Sequence, residues 1–305
     1  MATLAGMVPV FLLLGLGVLL RRLNVLDDAS CNGLNRLVAN VALPALFIST
    51  IGTAPLESAL SPRLMLVAAG VVAAATLGGL ALAHAWRLPR TQCGVVAQGA
   101  MRGNIVYFTF PLILGLYGGD ALRLAAVTST ALIPVMNLLA VAALELYRPP
   151  GERDMHIILR VLANPLVESA LLGLVLAALH WQPWPWLAST LKTLGDIAFP
   201  GALLALGAQL ALGESRRLWR PLIGVAGVKL VLMPALAWWL LALLHAPARE
   251  TAIGVLLMAA PTAVASNAVA ADLGGAPELA SSCVLATTLL SIATYPAWVL
   301  LLGPR

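Results

Sequence analysis

The segment RGNIVYFTFPLILGLYGG, residues Arg102–Gly119, decides the fold that we expect for this chain. Most of it is apolar, yet it begins with an arginine and an asparagine follows at Asn104, while Gly103, Gly115 and Pro111 interrupt its apolar run. In lipid, backbone polar groups need internal partners, so a helix interrupted by proline and glycine is tolerated only where it faces protein or water. An arginine at membrane depth is costly and marks a candidate functional site. We therefore predict an interrupted membrane helix that the rest of the chain holds.

The composition of the whole chain agrees with a membrane protein. Hydrophobic residues make up 61% and charged residues 10% of the 305 residues, whereas soluble domains have about half and a quarter. Apolar runs of about 20 residues recur, and each is long enough to cross a bilayer. The net charge is +5, but the arginines fall in short loops between these runs, which is a topology signal rather than a nucleic-acid-binding face. We predict an all-α integral membrane protein that binds no nucleic acid.

The apolar runs predict ten membrane spans. Lys and Arg counts in the alternating loops favour one side of the membrane, which we expect to be cytoplasmic. Both termini would then lie outside the cytoplasm, in an inner or plasma membrane. The spans are at about residues 4–20, 33–52, 64–85, 92–116, 121–146, 157–179, 187–212, 219–244, 250–271 and 278–302.

Two sequence matches predict that the chain is a duplicated unit. NVALPALF at 40–47 resembles DIAFPGAL at 196–203, which aligns Pro44 with Pro200, and YGG resembles LGG, which aligns Gly118 with Gly274; both pairs are 156 residues apart. Five spans in each half is an odd number, so the second half must enter the membrane upside down. This predicts a 5+5 inverted repeat, residues 1–150 and 151–305, with broken helices four and nine. Such repeats are typical of secondary transporters.

Polar residues in the broken spans predict a site for a small anion. The guanidinium of Arg102 matches a carboxylate in bidentate geometry, and the N-termini of half-helices carry partial positive charge. The alternatives are purely structural: the arginine bonds to backbone carbonyls, and the asparagines form hydrogen bonds between helices. The predicted substrate-binding residues are Arg102, Asn104, Pro111, Asn137, Pro261, Ser266 and Asn267.

Two further ionisable residues lie deep in consecutive spans. Asp196 and Lys229 form either a structural pair or a carboxylate and amine that couple transport to a proton, because burial and pairing shift their pKa values in opposing directions. Motifs for serine nucleophiles, zinc proteases or phosphate binding do not occur in the sequence. We therefore predict no enzyme activity, no metal and no cofactor.

Several motifs in order resemble the auxin efflux carrier family, which includes plant auxin exporters and bacterial malonate-type carriers. They are VANVALPALF, the segment from Arg102, ANPLVESALLGL, AFPGALLALGAQL and APTAVASNAVAADLGG. The resemblance implies a scaffold of spans one, two, six and seven, a mobile part of spans three to five and eight to ten, elevator-like motion and a homodimer. It also implies that Pro111 and Pro261 are crossover prolines and that Asn104 and Asn137 contact the substrate carboxylate.

The middle loop is short and Arg102 resembles the bacterial pattern, so we expect malonate or a related carboxylate rather than auxin. The expected function is secondary active transport, or uniport, of small organic anions. One alternative is a sodium-coupled symporter of the bile-acid type, which has a similar crossover, although acidic ligands are missing from the broken spans. A membrane sensor or an intramembrane enzyme is the other, and neither a signalling domain nor a catalytic constellation is present in the sequence.

Overall fold

The computed structural model describes residues 8–53, 61–148, 165–210 and 219–303. Within these ranges every regular element is a helix, and one isolated antiparallel bridge joins Gly103 to Thr262. The helices are α1 Val8–Arg22, α2 Asp28–Gly52, α3 Pro62–Ala85, α4 Arg90–Met101, α5 Ile105–Tyr117, α6 Gly119–Glu145, α7 Pro165–Ala178, α8 Pro185–Asp196, α9 Ala198–Leu210, α10 Trp219–Leu243, α11 Ala248–Met258, α12 Ala265–Asp272 and α13 Pro277–Leu302.

Six helical stretches in the described ranges are long and apolar enough to cross a membrane: α2, α3, α6, α8 with α9, α10 and α13. Large apolar side chains are exposed on them, for example Leu66 (74%), Leu77 (67%) and Trp239 (60%). Such faces are costly in water and suit lipid. The predicted all-α membrane class is therefore confirmed.

The other four predicted spans have different outcomes. The spans at 92–116 and 250–271 are interrupted helices, α4 with α5 and α11 with α12. The spans at 4–20 and 157–179 begin outside the described residues, and their described parts are α1 and α7. The ten-span count stays a prediction.

Prolines inside three helices follow a π turn. Pro44, Pro111 and Pro234 come just after the π turns Val38–Ala42, Ile105–Thr109 and Val228–Leu232, respectively. Proline lacks an N–H and its ring clashes with the carbonyl four residues earlier, and a wider turn relieves both problems. This corrects one expectation. Pro111 lies inside α5, whereas the interruption lies earlier, at 102–104.

The chain forms two compact units, each as far as it is described. The first comprises Met1–Ser61, Val106–Ala131 and Leu162–Leu212, and the second comprises Pro62–Ile105, Leu132–Val161 and Gly213–Arg305. Each unit therefore combines parts of both sequence halves, and α6 contributes residues to both.

In the first unit, glycines bring α1 and α9 close together. A methyl group added at Gly17 would lie 3.0 Å from the Cα atom of Gly207. Small residues at helix interfaces allow such close backbone approach, which drives helix packing in lipid.

In the second unit, α4 and α11 are buried on all sides. Each residue from Cys93 to Met101, and each from Ala252 to Met258, is buried. A methyl group added at Gly79 of α3 would lie 2.7 Å from the Cα atom of Ala97. Small residues thus let the neighbouring helices enclose α4, and this packing holds the end of the helix that leads to Arg102.

Candidate functional site

The interruptions after α4 and α11 bond to each other through their backbones. Arg102 has an extended backbone (φ −81°, ψ 101°), and its carbonyl accepts a hydrogen bond from Ala263 N at 2.9 Å. Asn104 N donates to the carbonyl of Pro261 at 2.7 Å. These bonds satisfy backbone groups that the helix breaks expose, as the interior of a membrane protein requires. The predicted position of Pro261 in a helix break is therefore observed.

We call the two bonded interruptions, residues 102–104 and 259–264, the crossing. Side-chain hydrogen bonds connect the crossing to neighbouring helices. Thr262 donates its hydroxyl to the carbonyl of Gly99 at 2.8 Å, and its backbone N–H donates to Thr287 Oγ1 at 3.0 Å. Gln98 Nε2 donates to the carbonyl of Ser266 at 2.7 Å. Thr287 lies on α13 and was not identified from the sequence, although a hydroxyl on an apolar helix was the available signal. The crossing is thus bonded to α4, α12 and α13.

Arg102 and Asn137 meet, although they are far apart in the sequence. Nη2 of Arg102 donates to Oδ1 of Asn137 at 2.8 Å. Nη1 of the same guanidinium is buried and has no hydrogen-bond partner within the described residues. A guanidinium presents its donors in a rigid fork, so one side of the fork is used and the other is free to bind an acceptor.

Other polar atoms around the crossing are also buried without a partner in the described part of the chain. Asn104 is 7% exposed, and its Nδ2 is one of them. Buried polar groups are nearly always hydrogen-bonded, and each exception needs an explanation. The helices that bond to the crossing carry further such atoms: Gln98 Oε1 on α4, Ser266 Oγ and Asn267 Oδ1 on α12, and Thr288 Oγ1 on α13. Six of the seven predicted residues thus take part in a hydrogen bond of the crossing or carry a polar atom without a partner in the described residues: Arg102, Asn104, Asn137, Pro261, Ser266 and Asn267.

Asp196 and Lys229 each bond to a different residue in the structure. Asp196 forms an exposed ion pair with Lys192 at 2.9 Å, because residues four apart share one helix face. Lys229 is fully buried, and its Nζ donates to the carbonyl of Met258 at 2.9 Å. The hypothesis that Asp196 and Lys229 pair therefore receives no support from these contacts.

Comparisons with known proteins agree with this geometry. Residues 3–299 match the family described as Membrane transport protein. The chain is 30% identical over 315 residues to the "Putative malonate transporter" of Rhizobium meliloti, with 96% of this chain and 94% of that protein covered. It is 26% identical over 307 residues to an "Uncharacterized transporter" of Methanothermobacter thermautotrophicus, with 99% of each covered. These names describe transporters rather than enzymes. The chain is a multi-pass membrane transporter and belongs to this membrane transport protein family, the auxin efflux carrier family that its motifs resemble.

Proposed function

We propose that the protein moves small organic anions, such as malonate or a related carboxylate, across the cell membrane as a secondary transporter or uniporter. The observation that carries this proposal is the pair of unused donors, Arg102 Nη1 and Asn104 Nδ2, which are buried without a partner in the described residues. An ionised carboxylate has two oxygens that accept such donors and can accept an arginine fork. The printed name of the relative from Rhizobium meliloti supports malonate as the first substrate to test.

A helix end favours the same ligand charge. After the second interruption, α12 begins at Ala265. The N-terminal end of a helix carries partial positive charge and unsatisfied N–H groups, which attract anions. Together with the full charge of Arg102, this end favours a carboxylate as the ligand.

The proposed architecture is ten spans in a 5+5 inverted repeat, and loop geometry supports it. In three pairs of turns, a residue in each half has a positive φ: Asn24 and His180, Arg87 and His245, and Gly118 and Gly274. Members of the first and third pairs are 156 residues apart, and those of the second pair are 158 apart. Pro89 and Pro247, which precede α4 and α11, both have an extended backbone, with ψ 147° and 146°. Corresponding turns at nearly equal spacing are expected from a duplication.

The proposed mechanism is elevator-like alternating access, in which one part of the protein carries the substrate past another. The crossing residues Arg102, Asn104, Asn137 and Pro261 all belong to the second compact unit. A site built within one unit can move with its hydrogen bonds intact. We propose that spans three to five and eight to ten form the mobile part and that spans one, two, six and seven form the scaffold. We also propose that the protein works as a homodimer with both termini outside the cytoplasm.

A sodium-coupled symporter is the second candidate. It is favoured by the acceptor oxygens that are buried without a partner among the described residues, Gln98 Oε1, Ser266 Oγ and Asn267 Oδ1. Oxygen atoms of this kind are ligands for hard cations. Replacing sodium by choline in the transport assay distinguishes the two candidates.

The test is uptake of radiolabelled malonate by proteoliposomes, with a panel of mono- and dicarboxylates as competitors and at two pH values. We expect saturable uptake without sodium. Arg102→Gln should reduce uptake about tenfold or more, because it removes a charge-assisted hydrogen bond. Arg36→Gln is the matched control, since Arg36 is exposed on α2, and it should leave uptake unchanged. A folded wild-type protein that transports none of the acids, with or without sodium, would contradict the proposal.

A further inference from the structure

Lys229 is a buried ionisable side chain that the proposed substrate site does not use. It lies in the π turn Val228–Leu232 of α10 and is 0% exposed. Its Nζ donates to the carbonyl of Met258, the last residue of α11, and lies 3.5 Å from Sδ of Met233. No described acidic side chain forms an ion pair with it. The negative partner of this ammonium is therefore the C-terminal end of a helix.

The same ammonium also lies beside the other interruption. A methyl group added at Gly103 would lie 3.1 Å from Nζ and 3.4 Å from Cε of Lys229. Gly103 follows the C-terminal end of α4. Lys229 thus reaches the place where α4 and α11 both end.

The physics of helix ends explains why a cation is needed there. The last carbonyls of a helix lack intrahelical donors and carry about half a negative elementary charge. Two such ends that meet inside a membrane protein are stabilised by a positive charge, and Lys229 is fully buried where they meet. Lysine suits this task because it is a compact point charge on a flexible stem.

We propose that Lys229 is a tethered counter-ion for the two helix ends, in the place that a free monovalent cation would otherwise occupy. It is a positioning residue, because it holds the crossing in shape and does not touch the substrate. The consequence is that anion transport needs no external sodium. This inference rests on the proposed function, since it concerns how the same crossing is kept ready to bind an anion.

Substitutions of Lys229 test the proposal, because it predicts how each variant responds to added cations. Lys229→Ala removes the charge and leaves space, so a small cation can enter. Lys229→Met removes the charge but fills the space. Lys192→Ala is the matched control, because Lys192 is exposed and pairs only with the exposed Asp196 among the described side chains.

The first measurement is thermal unfolding of the purified variants in choline, sodium or methylammonium chloride at equal ionic strength. The melting temperature of K229A should rise with sodium or methylammonium concentration, because a ligand that binds only the native state stabilises it. The wild type, K229M and K192A should respond equally to the three salts. This measurement needs no substrate, so it decides the role of Lys229 even if malonate is not transported.

The second measurement is malonate uptake by proteoliposomes. In choline, uptake by K229A and K229M should fall about tenfold or more, because the helix ends lose their counter-charge. Sodium or methylammonium should restore a substantial part of it in K229A and none in K229M. If K229A does not fold, a folded K229M with this loss still supports the proposal.

Three outcomes would overturn the proposal. K229M could transport malonate without sodium as fast as the wild type does, or a folded K229A could respond to no cation in either measurement. The third outcome is that uptake by the wild type depends on sodium. A wild type that transports no carboxylate would instead refute the proposed function, while the cation response of K229A would still test the counter-ion.

Discussion

Arg102 donates one arm of its guanidinium to the side-chain oxygen of Asn137 at 2.8 Å, while its other terminal nitrogen is buried with no partner in the described residues. Arg102 lies in the interruption after α4 and Asn137 lies on α6, and both residues belong to the second unit. Asn137 thereby sets the plane of the guanidinium, and the free nitrogen becomes the point where a substrate oxygen can bind. The consequences for transport can be measured separately for the arginine, for the asparagine and for the backbone around them.

Arg102→Lys tests whether transport needs the two terminal donor nitrogens of the guanidinium or only its positive charge. Lysine keeps one positive charge but loses the planar pair of donors, so it cannot hold Asn137 and a carboxylate at once. We expect kcat/KM for malonate uptake to fall about ten- to a hundredfold, from the loss of about 1.5–3 kcal/mol in a charged hydrogen bond. The measurement is the concentration dependence of uptake in proteoliposomes. Unchanged kinetics would mean that only the charge matters.

Asn137→Asp tests whether the free arm of Arg102 is the anion site. The new carboxylate would stand 2.8 Å from the guanidinium, where the amide oxygen is now. The new carboxylate would neutralise the charge of Arg102, because it forms a stronger, charge-assisted hydrogen bond than the neutral amide does. We expect transport to be lost while the melting temperature is kept or raised. Asn137→Ser, which has no charge, should retain more uptake; the reverse order of the two variants would count against Arg102 as the substrate ligand.

Gly103→Ala tests the close packing at the crossing. The added methyl group would lie 3.1 Å from Ala260 Cβ and 3.1 Å from Lys229 Nζ, which is closer than nine in ten real contacts of this kind. Overpacking of this kind costs about 1–3 kcal/mol, so we expect a lower melting temperature and strongly reduced uptake.

Gly70→Ala is the matched control for that variant. Gly70 lies inside α3 with nothing within 4 Å of an added methyl group. Alanine at such a position should be neutral or stabilise the helix by about 0.5–1 kcal/mol. Equal effects of G70A and G103A on thermal unfolding and uptake would refute the packing argument.

Thr287→Val tests the bracing of the crossing by α13. The change removes the oxygen that accepts the backbone N–H of Thr262 and leaves that buried donor unsatisfied. Such a loss costs about 1–3 kcal/mol, so the melting temperature should fall. Thr76→Val is the comparison, because within the described part of the chain the hydroxyl of Thr76 bonds only to the carbonyl of Val72 in its own helix. A T287V melting temperature no lower than that of T76V would show that the bond from α13 does not stabilise the crossing.

Local sequence chemistry was enough to predict the class of the fold and the approximate place of the break. A bilayer demands runs of about 20 apolar residues, so the membrane class and six of the ten spans could be predicted from hydropathy. Gly103, Gly115 and Pro111 in such a run indicated an interruption, and the structure has one beside Gly103, at 102–104. Pro111 was the wrong marker for it, because a π turn accommodates a proline inside the helix without breaking it.

The partners of the site residues depended on tertiary structure. Charge complementarity suggested that Asp196 pairs with Lys229, but Asp196 contacts Lys192 four residues away and Lys229 reaches a helix end. The bond between Arg102 and Asn137 spans 35 residues, a separation over which hydropathy and helical periodicity carry no information. By itself the sequence determined that this protein is a membrane transporter with an interrupted helix. The reason is that a bilayer requires apolar side chains and paired backbone groups along the whole of a span, so departures from this pattern are visible locally. Only the tertiary structure decided which polar atoms meet and which stay free to bind a substrate, because those contacts arise from the packing of distant helices.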